Sequence, residues 1–260
     1  MELVPRKRMM LFAGRGNEEL SGEIASCLQV SLGDVVLDDF ANGEIYSRYS
    51  ESIRGADVFV IQSHCEPIHD RIMEQLIMID AAKRASAKRI TAVVPFFAYA
   101  RQDRKAQGRE PITARLLADL LTVAGTDRVV TVDLHTGQIQ GFFDYPVDHL
   151  TAVPILAQYI GESVSGEVTV VSPDAGGGKL ARRYANHLET VGIDALLAFI
   201  DKRRPKGTHN IAEAVEVVGD VDGRSCVLVD DMIDTAGTIV AAAELLAARG
   251  AAEVVVAATH

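Results

Sequence analysis

The chain of 260 residues contains no tryptophan and only three cysteines. Cys27, Cys65 and Cys226 stand far apart and form no CxxC pair. That speaks against a disulfide framework and a thiolate zinc site, and it fits a reducing compartment. No apolar run approaches the ~20 residues of a membrane-spanning helix, so no membrane association is expected. The opening MELVPRKRMM is basic but lacks a following hydrophobic segment or a small-residue cleavage site, and reads as a short tail without a signal peptide. Positive charge is in deficit: 26 Lys and Arg face 36 Asp and Glu, a net charge of −10. A protein that bound nucleic acid by bulk attraction would be basic, so that class is set aside and any anion site must be built locally. There is no Ser/Gly-rich linker, low-complexity tract or close internal repeat.

What is present is an ordinary globular balance, 48% hydrophobic and 24% charged, enough for a large core. Short apolar runs predict strands at Met9–Ala13, Val35–Leu37, Val58–Ile61, Ile90–Val94 and Val129–Val132. In the second half they fall at Val168–Val171, Leu196–Ile200, Val215–Val218, Cys226–Val229 and Val254–Ala258. Helical patterns lie between many of them: Gly16–Gln29, Pro67–Ala85, Pro111–Ala124, Ala152–Ser163, Lys179–Val191 and Gly237–Arg249. Pro67 and Pro111 suit first-turn positions. Alternating β and α with buried strands implies mostly parallel sheets flanked by helices, an α/β fold. Asp144, Pro146, Asp148 and His149 interrupt the periodicity between Phe143 and Val153. The boundary is placed there, giving domains 1–148 and 149–260. The last predicted strand runs to the end at His260, where an α/β domain normally adds a helix, so a C-terminal truncation is expected.

In parallel sheets ligands gather at the carboxyl ends of strands. VLVDDMIDTAGT, 227–238, is a buried strand ending in Asp230 and Asp231, then a small-residue turn of Asp234, Thr235, Ala236, Gly237 and Thr238 opening a helix. Helix-start N–H groups and hydroxyls suit a phosphate, and the carboxylates suit sugar hydroxyls or a hydrated cation. An N-capped strand–turn–helix is the plain alternative. Four other loops follow predicted strands. Pro95–Pro111 carries Arg101, Arg104, Lys105 and Arg109 beside Phe96, Phe97 and Tyr99, a mixture that suits a nucleotide. DLHTGQIQGFF brings Asp133 and His135. SPDAGGGK brings Asp174 before Gly176–Gly178, where a backbone can approach a ligand closely. DKRRPKGTHN crowds Lys202, Arg203, Arg204 and Lys206 together, as a loop closing over a polyphosphate would need. Each loop alone could be an ordinary solvated turn; all five following strands is the stronger observation.

VDDMIDTAGT at 229–238 resembles the phosphoribosyl-diphosphate loop of type I phosphoribosyltransferase folds. Together with FANGEI at 40–45, ARQDRK at 100–105, DLHTGQIQGFFDYPVD at 133–148, SPDAGGGK at 172–179 and IDKRRP at 200–205, it resembles the class I ribose-phosphate pyrophosphokinase family over almost the whole chain. The resemblance implies two phosphoribosyltransferase-like domains and transfer of the diphosphoryl group of ATP to O1 of ribose 5-phosphate, giving 5-phosphoribosyl 1-diphosphate and AMP for nucleotide biosynthesis. It implies Lys202 and Arg204 as catalytic, with Arg204 also at ribose 5-phosphate. Asn42, Gly43, Glu44, Arg101 and Gln102 would meet ATP, the first three from a neighbouring subunit. Asp230, Asp234, Thr235, Ala236, Gly237 and Thr238 would bind ribose 5-phosphate. His135 and Asp174 would serve Mg²⁺, the implied cofactor, and homodimers would assemble into hexamers. Asn42 stands where many members have Asp, and Ala236 where many have Gly. Two other readings remain open from the residues: a phosphoribosyltransferase that consumes the product, and a non-catalytic regulatory subunit.

Overall fold

The computed structural model describes residues 8–203 and 214–260, and the chain divides into two compact units, Met1–Leu150 and Thr151–His260. In the first unit β1 (Met9–Ala13), β4 (Asp57–Ile61), β5 (Arg89–Val94), β6 (Arg128–Val132) and β7 (Val147–Leu150) form one sheet in that order, every pair parallel. α1 (Glu18–Cys27), α2 (Ile68–Arg84) and α3 (Thr113–Ala124) connect its strands. Asn17 caps α1 by accepting from the Leu20 amide at 3.0 Å, with Glu18 and Glu19 in the first turn, where acids oppose the helix dipole. α3 ends at Gly125, whose φ of 121° is one that an L side chain rarely adopts. The core between sheet and helices holds Phe12, Val58, Val60, Met78, Ile79, Ile90, Leu117 and Leu121. Beside it β2 (Val35–Asp39) and β3 (Ile45–Tyr49) pair antiparallel as a separate hairpin.

The second unit has the strand order β10 (Ala214–Val218), β9 (Ala195–Arg203), β8 (Val168–Ser172), β11 (Ser225–Asp230), β12 (Glu253–Ala258). All pairs are parallel except β10 with β9. α4 (Val153–Ser163), α5 (Gly178–Thr190) and α6 (Gly237–Ala248) complete it. Apolar residues on both faces of β11 make its burial complete. Val227 and Val229 pack with Ala157, Tyr184 and Leu188 of α4 and α5, whereas Cys226 and Leu228 pack with Ile239, Ala242 and Leu246 of α6. Period-two alternation with no polar face is the signature of a strand covered on both sides.

The predicted strands and helices are all present, within a few residues at their ends. Two strands were missed. β3, IYSRY, alternates half-buried and exposed residues, so it offers no apolar run. β7, VDHL, lies inside the segment read as an interruption. Its Asp and His sit at a sheet edge, where partial exposure accommodates them, and Val147 pairs with Val129. The division between the two compact units falls between Leu150 and Thr151. β9 also runs three residues past the predicted Ile200. Among the described residues no helix is long and apolar enough to cross a membrane.

Leu228 is fully buried at the centre of the second unit. Leu228→Ala is expected to lower unfolding stability by about 2–5 kcal/mol in urea titration; a loss under about 1 kcal/mol would contradict the packing described.

Candidate active site

In the second unit chain order reverses at the centre of the sheet. From β8 the chain moves outward to β9, and from β11 it moves the other way to β12, while β8 and β11 lie side by side. Such a switch point leaves a crevice at the carboxyl ends of the two strands. Both predicted loops open there.

After β8, the Ser172 hydroxyl donates to the Asp174 carbonyl at 2.6 Å, and the Gly177 amide donates to Asp174 Oδ1 at 2.9 Å. A Cβ on Gly177 would lie 2.4 Å from Ser172 Oγ, so this turn needs a glycine. After β11, the Asp231 amide donates to Asp230 Oδ1 at 2.9 Å. The backbone of His260 brackets the loop: its carbonyl accepts from Ile233 at 2.9 Å and its amide donates to the Asp231 carbonyl at 3.1 Å. Ala236 then adopts φ 60°, ψ −2°, and α6 begins. Ala236, at the N-cap position, has no side-chain group to cap the first turn. A helix start at the carboxyl end of β11 offers backbone amides of the kind that suit an anion.

The electrostatics agree. Burial pushes the Asp230 carboxyl up to about 6, reinforced by Asp231 and by the negative charge of Asp174. Such a concentration of negative charge at a crevice suits a divalent cation, which would relieve it. Among the described residues no group of three or more His, Cys, Asp or Glu is placed to hold a metal. A hard cation that keeps waters and takes phosphate oxygens does not require such a cage.

In the first unit the loops after β5 and β6 are joined at their bases. Thr136 Oγ1 donates to Asp103 at 2.7 Å, and Gln138 reaches the same carboxylate at 3.4 Å. Gln102 anchors the loop after β5 to α3: its carbonyl accepts from the Ala114 amide, and Thr113 Oγ1 donates to its side chain at 2.5 Å. Arg101 and His135 are exposed on these two loops. Beneath them His64 is fully buried against Gln75 at 2.9 Å, and burial lowers its pKa to about 4, so it is neutral and structural. At the hairpin tip the Phe40 amide donates to the Glu44 carbonyl at 2.8 Å, and Gly43 takes φ 88°.

Two family profiles match the chain: the N-terminal domain of ribose phosphate pyrophosphokinase over residues 9–125, and a phosphoribosyl transferase domain over residues 152–260. A ribose-phosphate pyrophosphokinase of Streptomyces avermitilis is 61% identical over 98% of this chain and 77% of its own length. The chain belongs to the ribose-phosphate pyrophosphokinase family. A relative of the same name from Corynebacterium glutamicum is 56% identical over 98% of this chain and 78% of its own. The crystal structure of phosphoribosylpyrophosphate synthetase from Mycobacterium smegmatis matches with a TM-score of 0.89 at 54% identity, over 97% of this chain and 80% of that one.

Measured against the family's motifs, the fold brings Asp174, Asp230 and Asp234–Thr238 to one crevice in the second unit. Asn42–Glu44, Arg101, Gln102 and His135 lie in the first. Lys202 is not in a loop, as its sequence context predicted. Its backbone is paired with Val215 in the β9–β10 hairpin, because the antiparallel partner extends the strand beyond the apolar run. Arg204 lies outside the described residues. Sequence reading gave Ser172 and the His260 backbone no part. A hydroxyl that sets the Asp174 turn and a strand end that brackets a distant loop carry no local signal.

Two outcomes follow from this geometry. The left-handed conformation of Ala236 is one that glycine adopts without strain, so Ala236→Gly is expected to stabilise the chain by roughly 1 kcal/mol; an unchanged or lower Tm would contradict it. Asp230 has a folded-state pKa raised from 3.8 to about 6. Its contribution to stability is therefore fully present below 3.8 and is lost as pH rises through about 6. In metal-free buffer Asp230→Asn should raise the Tm at pH 7 and lose that advantage as pH falls below 4, while weakening ribose 5-phosphate binding. A lower Tm at pH 7 would show that the carboxylate is paired rather than crowded.

Proposed function

We propose that this chain transfers the β,γ-diphosphoryl group of ATP to O1 of ribose 5-phosphate, releasing AMP. Membership of the ribose-phosphate pyrophosphokinase family supports the reaction. The observation that carries the acceptor half is the acid-lined switch point at which α6 begins. In this reading Asp234–Thr238 and the first amides of α6 receive the 5-phosphate, and Asp230 orients the ribose hydroxyls. Arg101 and Gln102 receive ATP, together with Asn42, Gly43 and Glu44 of a neighbouring copy. His135 and Asp174 would hold Mg²⁺, whose bound form supplies fixed positive charge at the polyphosphate.

The protein's own contribution is alignment and charge. In-line attack at the β-phosphorus needs two reactants held in register and little covalent chemistry. Lys202 and Arg204 supply positive charge to the group in transit, with Arg204 also reaching the sugar phosphate. The Arg guanidinium can hold two oxygens at once, whereas the Lys ammonium acts as a point charge. Asp230, with its pKa near 6, is available to accept a hydrogen bond from a ribose hydroxyl.

Assembly with further copies is part of the proposal. α3 exposes Leu116, Leu120 and Val123, at 54%, 42% and 77%, with Ile112 one turn before them. This stripe at helical spacing suits burial against an equivalent surface. A hexamer assembled from homodimers, in the cytoplasm, is the arrangement we favour. The phosphoribosyltransferase alternative accounts for the second unit but leaves the first without a purpose.

Incubation with ATP, Mg²⁺ and ribose 5-phosphate should yield AMP and 5-phosphoribosyl 1-diphosphate, followed by ³¹P NMR. Folded protein that forms neither would refute the reading. Lys202→Ala should lower kcat by about 10²–10³ while leaving ribose 5-phosphate affinity nearly intact; undiminished turnover would remove Lys202 from the chemistry.

A further inference from the structure

Glu74 is a carboxylate on α2 with no exposed surface. A buried charge needs partners; Arg71 of the same helix lies 3.9 Å from its Oε2, and three closer groups converge on it. The Arg15 amide donates to its Oε1 at 2.7 Å, Gln62 Nε2 donates to the same oxygen at 2.7 Å, and Arg15 Nε pairs with Oε2. Gln62 in turn accepts from the Gly16 amide at 2.8 Å. A Cβ on Gly14 or Gly16 would collide with the Gln62 side chain, so the turn after β1 is fitted closely around this cluster. The guanidinium of Arg15 is thereby fixed in one orientation, and its two remaining nitrogens face outward. They hold both oxygens of Asp39, at 2.8 and 2.9 Å. Asp39 is the last residue of β2, opposite Ile45, and the turn to Glu44 begins at the next residue.

A two-stranded hairpin is only marginally stable by itself. The far end of this one is secured, since Tyr49 donates from its hydroxyl to the Met78 carbonyl at 2.8 Å and its ring packs edge-on against Phe12. The tip end, Phe40–Glu44, is exposed. We propose that Arg15 is a positioning residue for ATP: clamped from behind by buried Glu74, it grips Asp39 bidentately and sets the direction in which the hairpin presents Asn42–Glu44. The proposal rests on the reading that this turn meets ATP. It explains why an arginine is used, because only a planar fork can bind two carboxylates through separate edges and transmit an orientation from one to the other. Lysine would keep the charge and lose the geometry.

The test compares Arg15→Lys, Asp39→Asn, their double variant and Glu44→Ala in steady-state kinetics. Arg15→Lys and Asp39→Asn should each raise the KM for ATP, roughly tenfold for about 1.4 kcal/mol. The KM for ribose 5-phosphate should hardly move in either; the Tm should hardly move in Asp39→Asn, whose carboxylate is half exposed, and should fall in Arg15→Lys, which also weakens the pairing of buried Glu74. The double variant should be no worse than the more severe single one, since both break the same link. Glu44→Ala reports on the turn itself. If it raises the KM for ATP and Arg15→Lys does not, the positioning role is wrong while the turn's role stands. If neither changes it, the reading of the turn falls and the proposal with it. A fall in Tm with equal losses toward both substrates would mark Arg15 as a general fold contact and overturn the proposal.

Discussion

The second unit is shaped by a repulsion: carboxylates brought together at the carboxyl ends of two adjacent strands. Asp230 ends a strand buried on both faces, and burial together with the nearby negative charge of Asp231 and Asp174 pushes its carboxyl up. The cost is sustained by Val227, Leu228 and Val229, which anchor the strand between two helical layers. A cation and a sugar with vicinal hydroxyls are the groups that turn such crowding into binding energy. The left-handed Ala236 adds backbone strain at the same place, in line with the general tendency of strain to collect where ligands bind.

The first unit solves a different problem. Its strands follow one another across the sheet without a reversal, so its polar features come from loops tied at their bases and from a hairpin outside the sheet. Buried Glu74, Gln75, Gln62 and His64 form a polar layer below those loops. Each finds a partner: Glu74 with Gln62 and Arg15, and His64 with Gln75. A satisfied buried network rigidifies what stands on it. A rigid base suits catalysis that depends on placing phosphorus and oxygen in line more than on acid–base chemistry.

Much of this was legible in the sequence. Strands buried on both faces announce themselves as apolar runs, and so β8, β11 and the loops after them could be placed by inspection. β3 and β7 could not, because a half-exposed strand such as IYSRY or VDHL pairs through its backbone while its side chains follow no apolar pattern. The acids of the binding loop were visible as Asp230 and Asp231, but their crowding with Asp174 was not. That depends on strands more than 50 residues apart becoming neighbours, as the pairing of Ser225 with Val168 shows. The Arg15–Glu74–Asp39 chain was invisible for the same reason, its members being spread over three elements. A glutamate in a helix gives no sign that it will be buried.

The central claim is that the turn opening α6 receives the phosphate of a sugar phosphate through its backbone amides. Hydrogen–deuterium exchange with and without ribose 5-phosphate addresses those amides directly. The account predicts slowed exchange in the peptide spanning Asp234–Ile239, lost in a variant with Asp230 replaced by Asn. Protection confined to other segments, with Asp234–Ile239 exchanging as fast as in the free protein, would contradict it.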